Sequence, residues 1–299
     1  MKQLGYYNGK FAPLNEISVP MCDRGCYFGD GVYESAYSQN GIIYLLDEHI
    51  ERLFASAELM QIPFCMPKQE LKDLLYSLLP QLDDTDLSVY WQITRGTAPR
   101  DHYYPPGEPN LWIMIKPQKM WDCSEPFDLI LHEDLRHQIC NIKTLNLVAN
   151  ILTLEKARQA GCHEAVLHRN GRVTECTRSN VSIISNGVFR TAPTDNLILP
   201  GISRARLIIH CKKLGIPVEE TPFNTDELID ADEVIVSSSG ALCVPAKSID
   251  GKQVGGKATD ILNRLRDSVI DEYKSITENL QPRWHTKFLK RLVNDNSIC

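Results

Sequence analysis

Five short turns constrain the fold of this 299-residue chain more than any other feature of its sequence. Each is an Asn-Gly or Asp-Gly pair between segments of extended pattern, and the pairs begin at Asn8, Asn40, Asn170, Asn186 and Asp250. A two-residue hairpin turn needs positive φ at its central residues, which asparagine, aspartate and glycine adopt most readily. The sequence therefore predicts five antiparallel hairpins spread over the chain.

Helical patterns separate these hairpins. After Asp47, which is predicted to cap a helix, apolar residues recur at helical spacing as far as Met60. Further helices are predicted over 68–79, 147–160, 200–213 and 258–276. The alternation of strands with helices indicates an α/β fold.

The sequence also predicts two domains. Periodicity disappears between Pro117 and Pro126, as expected of a connection between folded units. We therefore predict a first domain over 1–118, a linker over 119–126 and a second domain over 127–280. The tail 281–299 is mildly basic and forms either a docked helix or a frayed end.

The composition argues against several classes of protein. A net charge of −6 disfavours nucleic-acid binding, which normally uses a concentrated basic face. No apolar run approaches the ~20 residues that span a bilayer. No apolar leader follows Met1 either, so we expect a cytoplasmic protein without a membrane segment. The ten cysteines form no Cys-x-x-Cys pair, which predicts reduced thiols and no metal site.

Lys143 stands at a junction between an apolar strand pattern and a helical one, with Ile142 and Leu145 close by in the sequence. One interpretation is an ordinary lysine at a strand end, with its ammonium in water. The other is a desolvated amine, because burial favours the neutral form of a lysine, which can attack a carbonyl group. The neighbours of Lys143 alone do not decide between them.

Three features could bind an anion. The helix that opens at 200–203 begins with free backbone N–H groups, a glycine that permits close approach and the Ser203 hydroxyl. A second group of small donors, 237–240, follows the apolar strand 233–236. Arg52 is the third, on a helix face apart from the apolar stripe. Helix capping and a solvated arginine are the alternatives.

Other candidate residues lie on strands and in one loop. Glu175, on a strand, lies either at a wet sheet edge or beside a cation. Arg100 and His102 are two residues apart in the proline-flanked loop 95–107, where they could grip a carboxylate. Tyr33 is either a core residue or part of a site.

In this order the motifs resemble one family, the class IV (fold-type IV) pyridoxal-phosphate aminotransferases. The segments that carry the resemblance are 23–34, 47–53, 142–146, 173–175, 179–180 and 199–203. Within the family, the loop Thr94-Arg-Gly-Thr-Ala-Pro-Arg100-Asp-His102 resembles that of D-amino-acid (D-alanine) aminotransferases. Branched-chain L-amino-acid aminotransferases and aminodeoxychorismate lyases share the other segments and remain the alternatives.

The resemblance implies a two-domain fold-type IV enzyme with its active site at the domain interface and pyridoxal 5′-phosphate as cofactor. Its substrates would be D-amino acids and 2-oxo acids, such as D-alanine and 2-oxoglutarate, exchanged by ping-pong transamination. It also implies a homodimer, with loop 95–107 reaching across the subunit interface.

The resemblance further implies residue roles. Lys143 would form a Schiff base with the cofactor and move the substrate proton, and Glu175 would hold the pyridine nitrogen protonated. Leu199 would pack against the ring. The phosphate would bind to Arg52, Ile202, Ser203, Ser238 and Ser239.

Three further residues, Tyr33, Arg100 and His102, would bind the α-carboxylate and select the D-enantiomer. Arg178 departs from the small residues that relatives commonly carry there, and it either points away from the site or adds a cation near the substrate.

Overall fold

The computed structural model describes residues 1–279, which form two compact units. The first contains Met1–Lys119, Ile142–Asn146 and the chain from Tyr273, and the second contains Met120–Asn141 and Leu147–Glu272. Lys143 therefore belongs to the first unit, whereas the sequence-based boundary groups it with the second. The predicted tail 281–299 lies outside the described residues.

The first unit is built on a six-stranded antiparallel sheet. Its strands are β1 Leu4–Tyr7, β2 Lys10–Pro13, β3 Gly31–Gln39, β4 Ile42–Ile43, β5 Leu87–Thr94 and β6 Asn110–Pro117, in the order β2-β1-β6-β5-β3-β4. Its helices are α1 Arg24–Phe28, α2 Leu46–Leu59 and α3 Lys68–Leu78.

One face of this sheet carries the core of the first unit. Because successive strand residues point to opposite faces, Val32 and Ala36 of β3 share a face, and both are completely buried. They join one apolar cluster with residues of α2 and α3 such as Leu53 and Leu75. Each fully buried side chain of this size contributes roughly 1.5–3 kcal/mol to folding. Glu34 is on the same face and is also completely buried, so it needs a partner there.

The segment Ile142–Asn146 is attached to the start of β3 by backbone hydrogen bonds. The Tyr33 N–H donates to the Lys143 carbonyl at 2.9 Å, and the Leu145 N–H donates to the Gly31 carbonyl at 3.0 Å. An isolated antiparallel bridge between Val32 and Thr144 lies between these bonds. Lys143 is thus fixed to the first unit by its main chain.

The second unit contains a nine-stranded mixed sheet. Its strands are β7 Phe127–Glu133, β8 Glu164–Arg169, β9 Arg172–Cys176, β10 Asn180–Ser185, β11 Val188–Thr191, β12 Val218–Glu220, β13 Glu233–Ser238, β14 Ala241–Ile249 and β15 Lys252–Gln253. The order is β12-β11-β10-β13-β14-β7-β8-β9, with β15 beside β14. The helices α4 Val148–Gln159, α5 Ile202–Lys213, α6 Thr225–Asp230 and α7 Thr259–Asn279 complete the described chain. None of the helices within residues 1–279 has the length and apolarity needed to cross a membrane.

The predicted turns are confirmed. Both residues of every Asn-Gly or Asp-Gly pair have positive φ, for example 42° and 90° at Asn8-Gly9 and 51° and 74° at Asp250-Gly251. The predicted cap of α2 is wrong. The N-cap position is Leu45, in the left-handed conformation, and Asp47 lies in the first turn of the helix. There its carboxylate pairs with Lys72 of α3.

We expect Gly31→Ala to destabilise the first unit by about 1–3 kcal/mol, because a methyl group there overpacks a close contact. A Cβ atom at this position would lie 2.5 Å from the Ile93 carbonyl oxygen and 2.7 Å from Leu145 Cδ1. Urea unfolding measures the change. The control is Lys10→Ala on β2, an exposed position in the same sheet, which should leave the midpoint unchanged. Equal midpoints for Gly31→Ala and the wild type would contradict the expectation.

Candidate active site

Lys143 places its ammonium over an aromatic ring. The Nζ atom lies 4.3 Å from the centre of the Tyr33 ring, a distance at which the negative face of the ring attracts a cation. The Lys143 N–H also donates to Ser56 Oγ of α2, at 3.3 Å. The residue as a whole is partly buried. This geometry tests neither of the two predicted interpretations of Lys143, and both stay predictions.

Arg52 forms a paired ion contact with Glu34. Its Nε and Nη2 atoms donate to the two Glu34 carboxylate oxygens at 2.7 and 2.8 Å, and His49 Nδ1 lies 2.6 Å from Oε2. Burial alone would raise the pKa of Glu34, but the Arg52 charge and these hydrogen bonds lower it to about 2. Glu34 is therefore ionised, and His49 Nδ1 must carry the hydrogen that it donates to Glu34.

The same cluster keeps His49 neutral and fixes the direction of Arg52. Burial lowers the pKa of His49, and the charges of Arg52 and Lys143 act in the same direction, against the opposing effect of Glu34. The sequence prediction named Arg52 but missed Glu34 and His49. The signal for Glu34 was available, because period-two alternation places it on the apolar face of β3, where an acid needs a cation.

Tyr33 belongs to the opposite, polar face of the first sheet. Its ring stacks on Tyr90 with centres 5.5 Å apart, and the Tyr90 hydroxyl donates to Gln92 Oε1 at 2.7 Å. Burial raises the pKa of Tyr90 strongly, so the phenol stays protonated. The predicted Tyr33 thus lies in a row of polar aromatic groups beside the Lys143 ammonium.

Arg100 and His102 come together on a different ring. The Arg100 guanidinium carbon lies 5.0 Å from the centre of Phe28, and the His102 ring lies 5.2 Å from it. Both residues are exposed. Within residues 1–119 and 142–146, no hydrogen bond, ion pair or ring contact joins either of them to Tyr33 or Lys143. The structure therefore groups the predicted carboxylate-binding residues in two places.

In the second unit, Glu175 of β9 is buried and held from three sides. The Arg136 guanidinium pairs with Oε1. The Asn180 amide and the Leu199 backbone N–H donate to Oε2 at 2.9 and 3.1 Å. Of the two predicted alternatives, Glu175 therefore lies beside a cation and not at a wet edge. Glu175 and Leu199, which are both predicted to contact the pyridine ring, are thus joined to each other by one hydrogen bond.

Sequence reasoning missed Arg136, which lies 39 residues away from Glu175 in the chain. Its Nε and Nη2 atoms also contact the two oxygens of Asp134, each at 2.9 Å. Burial raises the pKa of Asp134, but the arginine contacts outweigh it and lower the value to about 2. Burial lowers the pKa of Arg136, but its acidic partners Asp134 and Glu175 outweigh burial and raise that pKa. Arg136 is therefore a permanent cation behind Glu175.

The start of α5 forms a cradle of small donors. Gly201 is its N-cap residue and offers no side-chain cap, so the first N–H groups of the helix point outwards. A Cβ at Gly201 would lie 1.8 Å from Asn180 Oδ1, so the close approach requires glycine. At the end of β13, the Ser237 hydroxyl is buried and has no hydrogen-bond partner among residues 1–279. Ser238 and Ser239, the predicted contacts, follow it and are partly buried, while Ile202 and Ser203 are buried in the first turn of α5.

Arg178 is an exposed residue beside Glu164. Its side chain is 65% exposed and its Nε atom lies 3.4 Å from Glu164 Oε2. Glu164 in turn accepts hydrogen bonds from Thr177 N–H at 3.2 Å and Ser179 Oγ at 3.1 Å. These contacts test neither of the two predicted alternatives for Arg178, and both stay predictions.

Comparison with known proteins identifies the class. The sequence matches the family described as amino-transferase class IV over residues 31–249, and the chain belongs to this family. A D-alanine aminotransferase of Bacillus licheniformis is 38% identical over 276 residues, covering 89% of this chain and 97% of that protein. A D-alanine aminotransferase of Listeria monocytogenes is 40% identical over 272 residues, covering 89% and 94%.

Solved structures share the fold at lower identity. The Escherichia coli branched-chain amino acid aminotransferase superposes with a TM-score of 0.84 and 23% identity over 94% of this chain and 97% of that one. The branched-chain amino acid aminotransferase of T.th., complexed with N-(5′-phosphopyridoxyl)-L-glutamate, gives 0.83 and 22% over 93% and 95%. The predicted α/β fold of type IV aminotransferases is confirmed, and the structure builds it on two sheets.

We expect Glu34→Gln to remove a pH-dependent part of the stability. The pKa of the Glu34 carboxyl is about 2 in the folded protein, below its ordinary value of 4.5. The ionised carboxylate therefore stabilises the folded state above pH 4.5, and this contribution is lost as the pH falls towards 2. The free-energy gap between the wild type and Glu34→Gln should thus be on the order of a few kcal/mol at pH 7. It should shrink between pH 5 and pH 3, as measured by urea unfolding.

The matched control is Glu48→Gln, an exposed carboxylate on the neighbouring helix α2. Its gap from the wild type should stay near zero over the whole pH range. A gap for Glu34→Gln that is independent of pH would contradict the assignment.

Proposed function

We propose that this protein is a D-amino-acid aminotransferase that moves the amino group of D-alanine to 2-oxoglutarate, giving pyruvate and D-glutamate. The reaction alternates two half-reactions at one site. The observation that carries the proposal is the pair of preformed elements, a positioned amine at Lys143 and an arginine-backed carboxylate at Glu175. They occur in a chain 38–40% identical to D-alanine aminotransferases over most of its length.

The donor set fits pyridoxal 5′-phosphate. When bound, this cofactor supplies an aldehyde that reacts with amines and a pyridinium ring that withdraws electrons from the substrate Cα. The free N–H groups at Ile202 and Ser203 suit a phosphate, since a helix N-terminus attracts anions. Ser238, Ser239 and Arg52 complete the proposed phosphate contacts, with the direction of Arg52 set by Glu34.

Lys143 and Glu175 divide the proton chemistry. Lys143 would hold the cofactor through its side-chain amine, and once the substrate amine had displaced it, the freed amine would accept the proton from the substrate Cα. Glu175 would hold a proton on the pyridine nitrogen of the bound cofactor, as an ionised carboxylate can. Arg136 supports that state by its charge, while Asn180 and the Leu199 N–H fix the orientation of the carboxylate.

In this proposal the α-carboxylate of the substrate binds to Tyr33, Arg100 and His102. Arginine binds a carboxylate through two parallel N–H groups, and a neighbouring histidine adds a third donor. Because the carboxylate is held at one end, only one face of Cα meets Lys143, which selects the hand of the amino acid. The alternative is a branched-chain L-amino-acid aminotransferase or aminodeoxychorismate lyase, and the solved neighbours named above are branched-chain enzymes.

We also propose a homodimer in the cytoplasm. The nine described cysteines are all free thiols, in line with a reducing compartment. Helix α4 exposes three aliphatic side chains on consecutive turns: Val148 at 71%, Ile151 at 63% and Leu152 at 61%. Such a stripe is costly in water and suits burial against a second copy. The proposed dimer interface therefore includes α4.

The purified protein should be yellow and should convert D-alanine with 2-oxoglutarate, but not L-leucine. Lys143→Ala should abolish turnover, because the reactive amine is lost. Borohydride reduction followed by peptide mapping should find the cofactor on Lys143.

The conservative control is Lys156→Ala on α4, an exposed lysine, which should keep full activity. A protein that accepts only L-leucine would overturn the D-amino-acid assignment. A colourless protein after incubation with pyridoxal phosphate would overturn the enzyme class.

Ile151→Arg should shift the protein from dimer towards monomer, since a charge in an apolar interface is left without solvent. Sedimentation velocity at several protein concentrations measures the shift. The control is Lys212→Ala on α5, an exposed position outside the α4 stripe, which should stay dimeric. A dimer of undiminished affinity for Ile151→Arg would exclude α4 from the interface.

A further inference from the structure

The loop that carries Arg100 and His102 rests on α1. Most residues between Thr97 and Gly107 are exposed, so the loop has little core of its own. Its geometry therefore depends on the few contacts that it makes with buried groups. Two residues of α1, Arg24 and Phe28, make such contacts beside Arg100 and His102.

Arg24 holds the main chain between the two predicted carboxylate-binding residues. It is 3% exposed, and its Nη1 atom donates to the carbonyl of Asp101 at 2.7 Å. Its Nε atom donates to Asp30 Oδ2, also at 2.7 Å. Asp30 accepts from Arg95 as well, at 2.9 Å, so one buried carboxylate fixes both arginines. The anchor of the loop is therefore itself tightly held.

Phe28 provides a surface for the side chains of the loop. Its ring centre lies 4.8 Å from the guanidinium carbon of Arg24 and 5.0 Å from that of Arg100. His102 packs on the same ring at 5.2 Å. An arginine that stacks on a ring keeps its N–H groups free at the edge, where they can bind a carboxylate.

Tyr27, the neighbour of Phe28, fixes the near end of the loop. Its hydroxyl donates to the Ala98 carbonyl at 2.5 Å, and the Ala98 N–H donates to the Cys22 carbonyl at 3.0 Å. The start of the loop is thus attached on one side and Asp101 on the other. Arg100 lies between two fixed points.

We propose that Arg24 and Phe28 are positioning residues, which set the geometry of Arg100 and His102 and so the affinity for the substrate carboxylate. The proposal rests on the proposed function, because it assigns that carboxylate to Arg100 and His102. A preformed arrangement lowers the entropic cost of binding, since two long side chains need not be ordered by the ligand.

The test uses Phe28→Leu in the cofactor-loaded enzyme, which keeps an apolar group but removes the aromatic face. We expect KM for D-alanine to rise roughly three- to tenfold, with kcat at saturation within twofold, as for lost ground-state binding. The single-turnover rate with ethylamine, which is alanine without its carboxylate, should not change. Trypsin should also cleave faster after Arg100, because the loop is held less firmly.

A second variant and a double-mutant cycle distinguish a wrong positioning role from a wrong carboxylate assignment. Arg24→Lys keeps the charge but loses the forked donor, so it should show the same KM pattern if it folds. In an Arg100→Ala background, Phe28→Leu should add little to KM, because both changes remove one interaction. Met21→Ser, 89% exposed just before α1, is the control and should match the wild type.

The outcomes are distinct. If Arg100→Ala raises KM while Phe28→Leu changes neither KM nor trypsin cleavage, the positioning role is wrong and the proposed function stands. If Phe28→Leu slows ethylamine as much as D-alanine, the ring supports the whole site and the inference is also overturned. If Arg100→Ala has no effect on D-alanine, the carboxylate assignment within the proposed function fails.

Discussion

The site depends on a short backbone ladder between β3 and the segment Ile142–Asn146. The two hydrogen bonds and the Val32–Thr144 bridge attach Lys143 to the unit that also holds Tyr33, Arg52 and loop 95–107. Main-chain bonds of this kind are individually worth about 1 kcal/mol. Their importance here is geometric, because they fix the position of a lysine whose side chain is otherwise flexible.

A second common feature is that buried carboxylates hold arginines in place. Glu34 does this for Arg52, Asp30 for Arg24 and Arg95, and Asp134 for Arg136. A buried ion pair contributes little net stability, since desolvation offsets most of the attraction. What it gives is a fixed direction for a forked donor, which an anion-binding site needs. Arg52 and Arg136, which lie closest to the proposed chemistry, are fixed in this way. Arg100 is fixed instead by the Phe28 ring.

Much of the fold could be predicted from the sequence, because its signals are local. The hairpin turns follow from the φ preferences of two residues, and the predicted helix 68–79 coincides with α3 to within one residue. The predicted cap at Asp47 failed because the preceding chain enters α2 through a left-handed Leu45, which no local preference announces. Local signals therefore predict elements well and their ends less well.

The candidate site was predicted only in part, for a different physical reason. Lys143, Glu175 and Arg52 lie in recognisable motifs, whereas Arg136 acts through a contact with a residue 39 positions away. Spacing in the sequence carries no information about such a pair. The support of loop 95–107 by α1 is equally distant in sequence, since Arg24 and Asp101 are 77 residues apart.

The division of the chain has a consequence for synthesis. The polypeptide passes between the two units four times, after Lys119, Asn141, Asn146 and Glu272. Domains generally fold as they leave the ribosome, N-terminal first. Here the first unit lacks two of its three segments until residues 142–146 and the chain from Tyr273 have emerged. A gene fragment that encodes only residues 1–119 also omits the lysine, so neither unit can be exchanged between proteins as a simple cassette.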